Sequence, residues 1–113
     1  MRQMTSGELA RELLERFGPD GEHWIQSELF DVHGGRCFHG AVSEILLGEV
    51  EYNDSALNPV AEPFAAVARE QYPIEATMFT RRYAPAIALM EWINDAHTWD
   101  EFRVILEKVA AGE

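Results

Sequence analysis

The sequence has few of the residues that stabilise a protein covalently or carry it into a membrane. Cys37 is the single cysteine among 113 residues, so an intrachain disulfide is excluded and a reducing cytoplasm is the expected compartment. No stretch reaches the roughly 20 apolar residues of a membrane span, and the N-terminus lacks the apolar segment of a secretory signal. P-loop, dinucleotide-binding and Gly-x-Ser-x-Gly motifs are also missing, so we expect no cofactor.

Positive charge is scarce. Nine basic residues stand against 20 acidic ones, which gives a formal net charge of −11 at pH 7. Nucleic acids and anionic lipids bind positive surfaces, so neither is an expected partner. Between Cys37 and Ala68 there is no lysine or arginine. Five carboxylates lie in this stretch: Glu44, Glu49, Glu51, Asp54 and Glu62. They form either an ordinary solvated face or a surface that binds a protein partner with a basic surface.

Apolar residues are plentiful, at 47% of the chain, and they are mostly spaced as in helices. This content can fill the core of a single globular domain, expected over residues 1–113, without metals or disulfides. Apolar residues recur every three or four positions in five segments, which begin near Thr5, Cys37, Glu62, Pro85 and Thr98. The spacing therefore predicts a bundle of about five helices.

Local signals predict where these helices begin and end. Thr5 with Glu8, and Thr98 with Glu101, have the spacing of a capping box. Gly48 is expected to end the second helix.

The remaining boundaries depend on proline and on turn residues. Residues 49–59 are predicted as a loop and residues 62–72 as the third helix. The fourth helix is expected to run from Pro85 to about Ile93, where Asn94-Asp95 ends it. Residues 74–83 fit a short helix or an extended segment equally well.

One segment breaks the helical pattern. Residues 24–33 mix β-branched and aromatic residues, and the following Gly34-Gly35 pair can adopt the positive φ angles of a tight hairpin turn. We predict a small β-hairpin near residues 24–37, which returns through Arg36 and Cys37 and is supported by the helices. The expected fold class is therefore mainly α within α+β.

The densest cluster of metal-binding residue types is His33-x-x-x-Cys37-x-His39, with His23 upstream. Structural zinc sites generally use Cys-x-x-Cys or His-x3-5-His pairs and four ligands, which this spacing does not match. In a two-residue hairpin turn, His33 and Cys37 would also point to opposite faces. We expect no metal site here, and instead a buried thiol with histidines that are exposed or internally hydrogen-bonded.

Cys37 and His39 are the candidates for catalysis. A catalytic Cys37 needs a lowered pKa, and a position at a helix N-terminus beside His39 is one that can supply it. Nothing in the sequence marks the oriented base or the oxyanion site that such a nucleophile needs. A ligand site at this place would also draw on Gln26 and Asn94; otherwise Gln26 faces solvent or bonds buried backbone, and Asn94 ends a helix.

A few residues resemble a known family. They are Trp24-x-Gln26, Gly35-Arg36-Cys37, Cys37-x-x-Gly40-Ala41, and Asn94-Asp95 followed by Thr98 before an amphipathic helix. The pattern is similar to the domain of unknown function 6197, a family of small actinobacterial and actinobacteriophage proteins, and extends over roughly residues 6–111. Departures include Ser27, where the family has glycine. The resemblance implies a bacterial or phage ancestry and a compact fold, and the family has no assigned activity to carry over to this chain.

These observations favour a small acidic cytoplasmic accessory protein that binds a protein partner, and the resemblance adds a phage origin as one option. The alternative is an enzyme or small-ligand-binding domain with a polar site around Cys37. A third interpretation is a module that oligomerises with itself.

Overall fold

A computed structural model of the chain describes residues 1–73 and 85–112. Five α-helices account for most of them: α1 (Ser6–Phe17), α2 (Phe38–Leu47), α3 (Asp54–Gln71), α4 (Ala86–Ala96) and α5 (Trp99–Ala111). Within these residues there is no β-strand, so the described fold is all-α. The prediction of about five helices is confirmed for this part of the chain, and the ambiguous segment 74–83 lies outside the described residues.

The helix ends predicted from the capping boxes and from Gly48 are confirmed. Thr5 Oγ1 accepts a hydrogen bond from Glu8 N at 3.1 Å, and Glu8 Oε1 accepts one from Thr5 N at 2.9 Å. Thr98 and Glu101 form the same reciprocal pair before α5. Gly48 ends α2 in the left-handed conformation, with φ of 85°. Each cap supplies partners for backbone groups that a helix end leaves unpaired.

The apolar stripes of the helices meet in one core. Helix α1 packs along α5, and α3 packs along α4. Phe38 lies at the start of α2. The centre of its ring is 5.2 Å from the ring centre of Phe64 and 5.9 Å from that of Phe102. The radius of gyration is 12.7 Å, close to the ~13 Å expected of a compact chain of this length. The start of α2 is thus anchored in the middle of the molecule.

Helix α3 begins eight residues earlier than the sequence predicted, so the expected loop over residues 49–59 is wrong from Asp54 onward. Asn53 caps the helix by accepting a hydrogen bond from Ala56 N at 3.2 Å. Pro59 and Pro63 lie inside the helix, where each removes a backbone hydrogen bond. The helix persists because it buries one apolar face, formed by Leu57, Ala61, Phe64, Ala65 and Ala68.

Helix α4 also extends beyond its predicted end. It runs to Ala96, so Asn94 and Asp95 belong to its last turn and do not terminate it. Asn94 is fully buried.

The predicted hairpin over residues 24–37 is wrong. Only isolated bridges join Trp24 and Phe30 to Arg36, and of the glycine pair Gly34 alone has a positive φ, 86°. Asp31 Oδ1 instead accepts hydrogen bonds from the backbone N–H groups of residues 33 and 35, at 2.9 and 2.7 Å. The Asp31 side chain and a few backbone pairs, such as Ile25 N with Arg36 O at 3.1 Å, therefore satisfy backbone groups of this segment. Residues 18–37 form an irregular loop between α1 and α2.

This loop lies directly on the first turn of α2, and Gly40 makes the approach possible. A Cβ atom at position 40 would lie 2.1 Å from the carbonyl oxygen of Leu29, well inside contact distance. The loop carbonyl also accepts a hydrogen bond from Cys37 N at 3.4 Å.

We predict that Gly40→Ala destabilises the protein by about 1–3 kcal/mol, because the loop must move away from α2. Helix propensity alone would make the same substitution stabilising by about 1 kcal/mol, so the sign of the change is diagnostic. Urea unfolding followed by circular dichroism measures it. Gly112→Ala is the control, since a Cβ there would come no closer than 3.4 Å to Lys108 O. A gain in stability for Gly40→Ala would contradict the close approach.

Candidate functional site

The side chain of Asn94 joins three segments of the chain. Its Oδ1 accepts hydrogen bonds from Trp24 Nε1 at 2.7 Å and from Phe38 N at 3.0 Å. Its Nδ2 donates to Ile25 O at 3.0 Å and to Asp95 Oδ1 at 3.1 Å. An asparagine amide has two donors and two acceptor positions, and all four are used. Asn94 therefore acts as a structural link between α4, the loop and the start of α2.

Gln26 fixes the same loop to the C-terminal end of α4. Its Nε2 donates to the carbonyl oxygens of His97, Asn94 and Asp95, at 2.7, 3.2 and 3.2 Å. These carbonyls belong to the helix end, where backbone acceptors lack intrahelical partners. The sequence left open whether Gln26 bonds to backbone or faces solvent. The structure shows its Nε2 group bonded to backbone carbonyls. The structure therefore brings Gln26 and Asn94 together, as the ligand-site hypothesis predicted, but the hydrogen bonds of both side chains hold the loop in place.

A small cavity lies where this loop meets α2 and α4. Its volume is about 100 Å³, room for about three water molecules. Seven residues line it: Ser27, Glu28, Cys37, Tyr52, Glu91, Asn94 and Asp95. Sites that enclose small organic ligands usually have volumes of about 300–1,000 Å³. This cavity is therefore large enough for the end of one side chain and too small to enclose a metabolite. We call it the acidic cavity.

Negative charge dominates the acidic cavity. Glu28, Glu91 and Asp95 line it, and none of its lining residues is lysine or arginine. The pKa of Tyr52 is raised, first by partial burial of its hydroxyl and then by negative charge that includes Glu91 and Asp95. Tyr52 nevertheless has 70% of its surface exposed. The carboxylates thus create a negative field beside an accessible aromatic ring, which is an environment that favours a cation.

His39 lies fully buried behind the acidic cavity. Its Nδ1 is hydrogen-bonded to Glu91, and its Nε2 accepts a hydrogen bond from Asn53 N at 3.4 Å. An accepting Nε2 implies that Nδ1 carries the proton and donates to the carboxylate, a tautomer assigned from these partners. His39 thereby holds Glu91 in place. Its accepting nitrogen faces the backbone of Asn53, so it is not directed at the cavity.

Cys37 occupies the position that the sequence predicted, the N-cap of α2, where Sγ accepts a hydrogen bond from Gly40 N at 3.4 Å. The pKa of the thiol is not lowered, although the catalytic interpretation would require it. Burial of the thiol raises the pKa from 9.0 to about 11, and the nearby charges of Glu91 and Asp95 add to the effect. The backbone N–H groups of α2 oppose this rise, but desolvation is the larger effect.

The five acidic residues singled out in the sequence differ in their pairing with basic residues. Glu44 is paired with two arginines, and Glu62 is paired with Arg69 at 2.7 Å. In the described part of the chain, Glu49, Glu51 and Asp54 have no arginine or lysine within salt-bridge distance. Asp54 Oδ1 lies 4.0 Å from His39 Nε2.

Sequence reasoning missed the three carboxylates of the acidic cavity. Glu91 and Asp95 are four residues apart and lie one turn apart on α4, which is a signal of a shared helix face. Glu28 carried no such signal, because its position depends on how Asn94 and Gln26 hold the loop.

The other predicted candidates lie elsewhere. His33 is exposed on the loop, and its backbone N–H bonds to Asp31. Among residues 1–73 and 85–112, no group of three or more histidine, cysteine, aspartate or glutamate side chains is arranged to hold a metal ion. No described helix is long and apolar enough to cross a membrane.

Comparison with protein-family models, curated proteins and solved structures gives no match to this chain. The resemblance to the domain of unknown function 6197 therefore stays a prediction. Any functional assignment rests on the chemistry of the residues themselves.

We predict that Asn94→Ala costs at least about 3 kcal/mol of unfolding free energy, because it leaves Trp24 Nε1 and the N–H of Phe38 without acceptors. Asn58→Ala is the matched control, since Asn58 accepts a single hydrogen bond, from Ile87 N at 3.2 Å. Loss of this hydrogen bond should lower the free energy of unfolding by about 1 kcal/mol. Urea unfolding of both variants tests the comparison, and equal costs would contradict the linking role of Asn94.

We also predict that Cys37 reacts slowly with a thiolate-specific reagent. At pH 8, a rise of the pKa from 9.0 to about 11 lowers the thiolate fraction about 100-fold. Alkylation by iodoacetamide, followed by mass spectrometry, should be slower by at least that factor in the folded protein than in the same protein in urea. Equal rates in the two states would show an accessible, reactive thiol.

Proposed function

We propose that the protein is a small acidic cytoplasmic accessory protein that binds a basic segment of a partner protein at the acidic cavity. One observation carries the proposal. Glu28, Glu91 and Asp95 line a single concavity beside the exposed ring of Tyr52, with no lysine or arginine among the lining residues. A charged side chain of a partner, arginine above all, has the donors and the positive charge that this surface lacks.

The dimensions of the acidic cavity suit such a side chain. A volume of about 100 Å³ admits the end of one arginine or lysine. The planar guanidinium group can donate hydrogen bonds to carboxylates and stack on an aromatic face. Tyr52 provides that face.

Two of the three carboxylates are held in place before any partner binds. Glu91 is bonded to His39, and 35% of its side chain remains exposed. Asp95 Oδ1 accepts hydrogen bonds from Ser27 N at 2.7 Å and from Asn94 Nδ2 at 3.1 Å. Fixed side chains lose little conformational entropy on binding, which favours affinity.

The overall charge supports the same function. A net charge of −11 attracts basic partners over distance and accelerates their association. Salt should weaken such binding, since the Debye length is about 10 Å at 0.1 M. The acidic residues already paired with arginine, Glu44 and Glu62, contribute little to this attraction.

The alternative of an enzyme or ligand site centred on Cys37 has less support. Burial raises the pKa of the thiol, the nitrogen of Gln26 and all four positions of Asn94 are engaged internally, and the acidic cavity is small. Self-association and a phage origin also stay predictions.

We predict that a fluorescein-labelled peptide with three arginines binds saturably, and that the same peptide with glutamine in place of arginine does not. Raising the salt from about 0.05 to 0.3 M should weaken binding about tenfold. Fluorescence anisotropy measures both effects.

Two variants with the same charge change locate the site. Glu28→Gln should weaken binding of the arginine peptide about three- to tenfold, because it removes a carboxylate from the acidic cavity. Glu62→Gln is the control, since Glu62 is paired with Arg69 outside the cavity, and it should change affinity less than twofold. Equal effects would mean that net charge alone attracts the peptide, and absence of saturable binding would refute the proposal.

A further inference from the structure

A second cavity, of about 240 Å³, lies between the end of α1, the loop and α2. Arg16, His23, Arg36 and Glu44 supply its polar lining. We call it the arginine cavity. It concentrates two of the nine basic residues of an acidic chain at one place. At about 30 Å³ per molecule, its volume equals that of about eight waters.

The two guanidinium groups are close enough for the single carboxylate of Glu44 to bind both. Its Oε1 lies 3.1 Å from Arg16 Nη1, and its Oε2 lies 3.1 Å from Arg36 Nη2. One carboxylate therefore spans both arginines with one oxygen on each. A phosphate group has the same ability to accept from two guanidinium groups at once. The side chains of all three residues are partly exposed, at 39%, 22% and 31% for Arg16, Arg36 and Glu44.

Arg36 retains a donor with no acceptor. Its Nη1 donates to Gly35 O at 2.8 Å and its Nη2 binds Glu44, but Nε is buried and has no hydrogen-bond partner among the described residues. Buried donors without partners are rare in folded proteins. Its guanidinium carbon lies 5.8 Å from the centre of the Phe30 ring, which further restricts the group.

The charges around the arginine cavity are close to balance. Arg16 Nε also binds Glu12, at 3.2 Å, so two carboxylates face the two arginines. The two guanidinium groups nevertheless offer ten N–H donors, and hydrogen bonds within the described residues use four of them. A ligand here must therefore be an acceptor of several hydrogen bonds that competes with Glu44.

We propose that the arginine cavity binds an oxyanion, a phosphate or a carboxylate group, between Arg16 and Arg36. Glu44 is its internal competitor. Phosphate fits better than a carboxylate. Two of its oxygens can replace the two oxygens of Glu44, and a further oxygen can then accept from the arginine N–H groups that have no partner in the described part of the chain. This site is separate from the acidic cavity, and its chemistry is the opposite, so either proposal can fail without the other.

The test is a titration of the uniformly ¹⁵N-labelled protein with inorganic phosphate at constant ionic strength, followed by NMR of the arginine Nε–H signals. The wild-type protein should show saturable shifts of the Arg16 and Arg36 signals. Glu44→Gln should bind phosphate about five- to tenfold more tightly, because the internal competitor is lost. Arg16→Gln, at a partly exposed position, should weaken binding by a similar factor.

Acetate in place of phosphate separates the two ligand classes. If acetate binds as tightly, the site takes carboxylates as well, and the oxyanion proposal stands. If neither anion shifts the arginine signals saturably in the wild-type protein or in Glu44→Gln, the proposal is overturned. It is equally overturned if Arg16→Gln binds phosphate as tightly as the wild-type protein.

Discussion

The four hydrogen bonds of the Asn94 side chain are the constraint on which the rest of the described structure depends. A loop of about 20 residues joins α1 to α2 without a strand ladder, and such a loop needs other partners for its backbone groups. Asn94 supplies an acceptor for Phe38 N and a donor for Ile25 O. It thereby fixes the loop and the start of α2 against the last turn of α4. Six of the seven residues that line the acidic cavity come from these three segments, and Tyr52 comes from the connection between α2 and α3.

The same arrangement decides the chemistry of Cys37. A thiol at a helix N-terminus is stabilised as a thiolate by backbone N–H groups, and Gly40 N provides one. Packing of the loop over α2 removes solvent from the thiol, and two carboxylates on α4 lie near enough to oppose its ionisation. Desolvation outweighs the helix end, so the fold makes this cysteine a cap. The position of Cys37 in the sequence indicated the helix N-terminus, which stabilises the thiolate. It did not indicate the burial, which destabilises the thiolate.

Local patterns in the sequence predicted those parts of the fold that local interactions determine. The capping boxes at Thr5 and Thr98 need only side chains three residues apart, and both form. The first turns of α3 were missed because Pro59 weakens a helix locally, whereas burial of Leu57 and Phe64 against other elements stabilises it. Interactions over long sequence distances determined the rest. Gln26 binds carbonyls 68–71 residues away, and no spacing rule within the sequence indicates such a contact.

The distribution of charge also depends on contacts between distant parts of the chain, which composition does not predict. Counting residues located a stretch with five carboxylates and no basic residue, yet arginines from α1 and the loop reach Glu44. The carboxylates that remain concentrated at the acidic cavity come from positions 28, 91 and 95. A glutamate that bridges two arginines contributes little to the external field, whereas Glu91 has no arginine partner among the described residues and keeps 35% of its side chain exposed to a partner. The electrostatic surface of this protein is therefore a property of its tertiary contacts, and a net charge of −11 sets only its sign.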